Sequence, residues 1–132
     1  MALYDTMQIS SSDVCTMNLG LVASAASLIL VGGAIPKRVA FPHARVFIHQ
    51  PSTGYFCGTA EKILMEAEEM FELCNTIAKI YAQKTGQPIN VIQNDLERDT
   101  FMSAIVLRSS NISSASTCIF SVVPEKEPVE GW

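Results

Sequence analysis

Three residues in separate stretches carry the chemistry open to this chain. Ser24 stands in Gly20-Leu-Val-Ala-Ser-Ala-Ala-Ser27, His49 in Phe41-Pro-His-Ala-Arg-Val-Phe-Ile-His-Gln-Pro51, and Asp99 in Leu96-Glu-Arg-Asp-Thr-Phe-Met-Ser-Ala104. A hydroxyl, an imidazole and a carboxylate can serve as nucleophile, general base and orienter of the base. Ser24 has a strand pattern before it and a helix pattern after it. The N–H of Ala25 at that helix start is a natural donor for half of an oxyanion hole. The flanking Ala23, Ala25 and Ala26 are small enough to let a substrate backbone approach. Each residue also has an ordinary role: Ser24 and Ser27 as small packing residues, His49 as a hydrogen-bonded structural histidine, Asp99 as a solvated acid. His43 is the weaker imidazole, and Asp95 and Glu97 are rival carboxylates. Spacing alone does not bring three distant segments together.

The elements that must position these groups are legible to different degrees. Ala2 to Ile9 reads as a short helix and Ser10 to Asp13 as a turn. Val14 to Leu19 reads as a buried strand, and Ala23 to Val31 as a helix starting near Ser24 and ended by Gly32-Gly33. Lys37 to Ala40 and Arg45 to Gln50 read as strands, closed by the Pro51 to Gly54 loop. The clearest element is a long helix over about 59–85. Ile63, Ala67, Met70, Cys74, Ile77 and Tyr81 recur at steps of four and three, an apolar stripe wide enough for a core and a subunit contact. Glutamates crowd its start and Lys79 and Lys84 its end, as the helix dipole favours. Ile89 to Leu96 reads as a further short helix. The domain expectation is 1–104, followed by a polar, poorly ordered tail over 105–132.

Composition narrows the function classes. The 132 residues suit one domain; 48% are hydrophobic, 17% are charged, and the net charge of −4 gives no reason to expect nucleic acid as a partner. Cys15, Cys57, Cys74 and Cys118 show no C-x-x-C spacing and read as reduced thiols. Asn111-Ile-Ser113 fits the glycosylation pattern, which matters only in a secreted chain. Leu19 to Ile35 carries no charge and is followed by Lys37 and Arg38. Its many Gly, Ala and Ser residues favour a buried strand-turn-helix over the other reading, a membrane span.

Taken together, several segments resemble the proteolytic subunit of the Clp protease, the ClpP family of self-assembling serine peptidases. They are Tyr4-Asp-Thr-Met-Gln8, Gly20 to Ser27, Lys37-Arg38, Phe41-Pro-His-Ala-Arg45, Ile48-His-Gln-Pro51, Thr85-Gly-Gln-Pro88, and Glu97-Arg-Asp99 through Phe101-Met-Ser-Ala104. Leu30-Val-Gly-Gly33, Phe41 to Arg45 and Leu64-Met-Glu-Ala-Glu-Glu69 look most like the plastid branch. The resemblance implies an α/β fold, an incomplete ClpP/crotonase-like spiral of ββα units with a long handle helix. It implies Ser24 as nucleophile, His49 as general base, Asp99 as its orienter, and Ala25 as oxyanion donor. The helix over 59–85 resembles the handle that interlocks two heptameric rings, and Glu97 and Arg98 resemble the charged pair at that ring-ring contact. Implied partners are ClpP-type subunits, a Clp ATPase chaperone and unfolded polypeptide substrates, with no membrane, metal or organic cofactor. The implied location is the chloroplast stroma, with a bacterial-type cytoplasm as the alternative.

The departures shape the expectation. Ala25 and Phe47 stand where the family usually has Met. The resemblance begins inside a family helix, so the segment with the second oxyanion donor and the axial segment that meets the ATPase are expected to be missing. After Ala104 the family ending is not matched, as in a truncated or frame-altered product. The first reading is a serine endopeptidase subunit. The alternative is an inactive subunit that only assembles with or regulates active rings. A third is a CoA-binding crotonase-like enzyme, whose signature is thioester turnover.

Overall fold

The computed structural model describes residues 1–52, 54–55, 57–103 and 121–122. The elements run α1 (Ala2–Ile9), β1 (Thr16–Asn18), β2 (Leu21–Ala23), α2 (Ala25–Val31), β3 (Arg38–Ala40), β4 (Arg45–Ile48), α3 (Ala60–Thr85), α4 (Ile89–Glu97), β5 (Thr100–Ser103) and β6 (Ser121–Val122). The strands form two small sheets, ordered β1-β3-β6 and β2-β4-β5. Each consecutive strand pair therefore places one strand in each sheet and is followed by a helix: β1, β2, α2, then β3, β4, α3. Stacking the second unit on the first makes β1 parallel to β3 and β2 parallel to β4. That is the spiral of ββα units expected from the sequence. Apart from β6, the expected tail over 105–132 lies outside the described residues, as does Cys118. Cys15, Cys57 and Cys74 are free thiols.

A strand expected over Val14 to Leu19 is in fact the short β1, and a second strand, β2, follows at once. Asn18 makes the break. It is fully buried, its side-chain amide donates to the Arg45 carbonyl at 3.1 Å, and its side-chain oxygen accepts the Gly20 N–H at 3.1 Å. The amide side chain thus does the work of backbone at the corner between the sheets. The uncharged stretch Leu19 to Ile35 is divided into β2, a turn and α2. Among the described residues no helix is long and apolar enough to cross a membrane.

The core collects Leu28, Leu30 and Val31 of α2, Val46 and Ile48 of β4, and Ala78 and Tyr81 of α3. The 26-residue α3 ends at Gly86, whose φ of 71° suits glycine and whose N–H caps the Ala82 carbonyl at 2.9 Å. Only its second half packs on the core. Ala60 to Glu69 is exposed throughout, so roughly the first 15 Å of a rod about 39 Å long projects from the domain.

The Tyr81 hydroxyl is buried against Ser27 Oγ at 2.6 Å. Burial pushes the phenol up to about 12, while the hydrogen bond to Ser27 opposes that rise. A phenol that holds its proton more tightly when folded stabilises the fold fully below the unfolded value near 10, and that contribution fades as pH climbs through the folded value. Urea unfolding between pH 9.5 and 12 is therefore expected to show the wild type losing about 2 kcal/mol more than Tyr81→Phe. Parallel pH curves for the two proteins would contradict this.

Candidate active site

Ser24 is the hinge between β2 and α2. Its backbone sits at φ 55° and ψ −128°, a conformation that a residue with a Cβ adopts at a cost of about 1–3 kcal/mol. Three hydrogen bonds hold it there. Ser24 N–H donates to the Phe47 carbonyl at 3.1 Å, extending the β2–β4 ladder by one residue. The Ser24 carbonyl accepts the Ser27 N–H at 3.0 Å and the Ser27 hydroxyl at 2.5 Å. A serine in this position ordinarily turns its hydroxyl back to cap the helix. Ser24 makes no such side-chain cap. The residue is exposed.

His49 follows β4 directly. Its imidazole stacks on Phe47, with centroids 5.3 Å apart and planes at 23°. Phe47 in turn meets Phe101 at 4.3 Å across the β4–β5 ladder, where the two residues are register partners. The ring stack restrains the imidazole, and Gln50 N–H donates to the Leu96 carbonyl at 3.0 Å to fix the chain just beyond it. Ser24, Ala25, Ala26 and His49 line one cavity of about 550 Å³, whose apolar wall includes Leu28, Leu73 and Ile77. Nucleophile and base candidates from separate segments thus meet at one cavity. His43, the weaker imidazole, lies outside its lining.

Asp99 occupies the turn from α4 into β5 at φ 52°. β5 runs antiparallel to β4, and their register closes with Thr100 opposite Ile48, so Asp99 and His49 are the residues that flank that last pair in the chain. Thr100 Oγ1 donates to the Asp95 carbonyl at 2.8 Å and shapes this turn. Glu97 and Arg98 are exposed. Among the described residues no hydrogen bond links the side chains of Ser24, His49 and Asp99. Ser24 and His49 share one cavity and Asp99 is not among the residues lining it; catalytic contacts often tighten only on binding substrate.

Sequence reasoning missed the supporting groups. Ser27 holds the Ser24 carbonyl and Tyr81 holds Ser27, and Phe101 backs the imidazole through Phe47. The only signal for Ser27 was its i+3 spacing from Ser24, which puts it on the next turn of α2. Nothing in the chain pairs Ser27 with Tyr81 before folding.

Comparison with known proteins gives a consistent picture. The Clp protease family model matches residues 1–107. The chloroplastic ATP-dependent Clp protease proteolytic subunit 1 of Arabidopsis thaliana is 57% identical over 104 residues, covering 79% of this chain and 53% of that protein. An ATP-dependent Clp protease proteolytic subunit of Arabis hirsuta is 52% identical over 112 residues, 85% of this chain and 57% of its own length. That of Barbarea verna is 53% identical over the same length. The chain spans about half the length of the curated relatives it matches.

Proposed function

The chain belongs to the Clp protease family, and from that premise we propose that it is a serine-type endopeptidase subunit with Ser24, His49 and Asp99 as its catalytic residues. The observation that carries this reading is the meeting of an uncapped, strained Ser24 with His49 at one apolar-walled cavity. Ser24 Oγ attacks the scissile carbonyl carbon while His49 takes the hydroxyl proton. The Ala25 N–H, one of the donors the helix start leaves without an intrahelical partner, receives the developing oxyanion. His49 passes its proton to the leaving amine, and the C–N bond breaks to leave an acyl ester on Ser24. Water then attacks that ester, giving its proton to His49, and the carboxylic product departs as Ser24 regains its hydrogen. Asp99 orients the imidazole and offsets its transient positive charge.

The assembly reading follows the same family. The exposed half of α3 carries Ile63, Leu64, Met65 and Phe71, with Leu64 62% and Phe71 66% accessible. Such a projecting amphipathic helix suits a contact between ClpP-type subunits in stacked heptameric rings, with Glu97 and Arg98 at the ring-ring contact. A Clp ATPase would deliver unfolded polypeptides. The chloroplastic relative supports a plastid location, and the stroma is the compartment proposed.

The test is covalent. The purified full chain is treated with a fluorophosphonate, and peptide mass spectrometry locates the adduct. The expected site is Ser24. An adduct on Ser27, or none on folded, ring-assembled protein, would sink the reading; the second outcome describes a non-catalytic subunit.

A further inference from the structure

We infer that Tyr81 and Ser27 are positioning residues, which hold the Ser24–Ala25 peptide so that the Ala25 N–H faces the cavity as oxyanion donor. The inference rests on the peptidase reading and deepens it.

Proton count sets the direction of these hydrogen bonds. Ser27 has one hydroxyl proton, and it goes to the Ser24 carbonyl. The Ser27 oxygen can then only accept at its 2.6 Å contact with Tyr81, so the phenol donates. The order is Tyr81 O–H to Ser27 Oγ–H to Ser24 C=O. Burial keeps the phenol protonated well beyond neutral pH, and donors in series polarise and strengthen one another. Ser27 and Tyr81 are both buried, so water does not compete for these groups.

The consequence lies in peptide geometry. The Ser24 C=O and the Ala25 N–H belong to one planar trans unit and point in opposite directions. Clamping the carbonyl inward, on Ser27 N–H and Oγ, turns the N–H outward, where Ala25 lines the cavity. The unit follows a residue at φ 55°, a conformation that would relax if its carbonyl were released. Tyr81 sits on α3, far along the chain, so the helix that projects from the domain also braces the turn that bears the nucleophile.

The experiment measures covalent modification of Ser24 in the full chain as a function of fluorophosphonate concentration. The phosphoryl oxygen of that reagent occupies the oxyanion position, so the maximal rate reads the donor and the half-saturating concentration reads binding. Tyr81→Phe is expected to lower the maximal rate about tenfold and Ser27→Ala about thirtyfold, with half-saturation unchanged. The double variant should match Ser27→Ala alone, because both act through one carbonyl. Ile92→Val, in the core of α4, loses stability without touching the relay and should keep the wild-type rate. Thermal unfolding of each protein gives its folded fraction, and Tyr81→Phe, which removes one oxygen, carries the test if Ser27→Ala fails to fold. A folded Tyr81→Phe that labels at the wild-type rate overturns the inference and leaves the peptidase reading standing. So does an equal slowing in Ile92→Val. A wild-type chain that does not label removes the peptidase reading and this inference with it.

Discussion

Replacing His49 with alanine is expected to lower the rate of peptide-bond hydrolysis by about 10⁴- to 10⁶-fold, and Ser24→Ala to do the same. The reason is chemical. A serine hydroxyl at neutral pH carries almost no alkoxide, so attack requires a base within reach. Among the imidazoles only His49 shares the cavity with Ser24. His43→Ala should accordingly leave turnover near wild type. Asp99→Asn is the more searching variant. It keeps shape and removes charge, and an orienting carboxylate lost in this way typically costs about 10⁴-fold. Asp95→Asn, whose carbonyl rather than carboxylate shapes the turn, should change little. Turnover of an unfolded polypeptide by assembled protein is the measurement. A His49→Ala variant within tenfold of wild type would remove the imidazole from the mechanism.

The second large effect is on stability. Arg38→Ala is expected to lower the free energy of unfolding by about 3–4 kcal/mol, read from urea unfolding midpoints. Arg38 is only 2% exposed. Its Nε donates to the Gly33 carbonyl at 2.7 Å, and its Nη1 donates to the Lys84 carbonyl at 2.8 Å. One guanidinium thus closes the turn after α2 and caps the carboxyl end of α3, where a positive charge is favoured. Burial pushes its pKa down from the ordinary arginine value, with Tyr4 pulling the other way. Truncation to alanine would leave a void and two carbonyls short of a donor. Arg38→Lys should recover only part of the loss, about half, because an ammonium on a flexible stem does not reproduce the fork. Lys37→Ala provides the contrast. Its ion pair with Asp13 at 3.1 Å is half-exposed, and such pairs contribute no more than about 1 kcal/mol. Equal losses for Arg38→Ala and Lys37→Ala would overturn this assignment.

The fate of Lys37-Arg38 shows where local pattern stops. As a pair of cations after an uncharged stretch they look alike, and either could flank a membrane or face water. Folding separates them: one is solvated and paired, the other is sealed between two helix ends. Strand β5 is not legible in the sequence for a related reason. Thr100 to Ser103 is too short to show a period, and it is a strand because Phe101 finds Phe47 across the ladder. The long α3, by contrast, was plain within two residues of its ends. Twenty-six residues of helical period, acidic at the start and closed by a glycine, carry their own instructions.

The chain alone therefore offered the chemistry, a serine, an imidazole and several rival carboxylates, and determined the long helix that accompanies them. Residue types and short-range periods are local properties, and they survive without a partner. What only the folded chain decided is the convergence of Ser24 and His49 on one cavity, the strain at Ser24, and the hydrogen bonds from Tyr81 through Ser27 that hold it. Each of these joins residues far apart in sequence, through strand register and buried polar contact, and no local energy term specifies such a pairing before the core has closed around it.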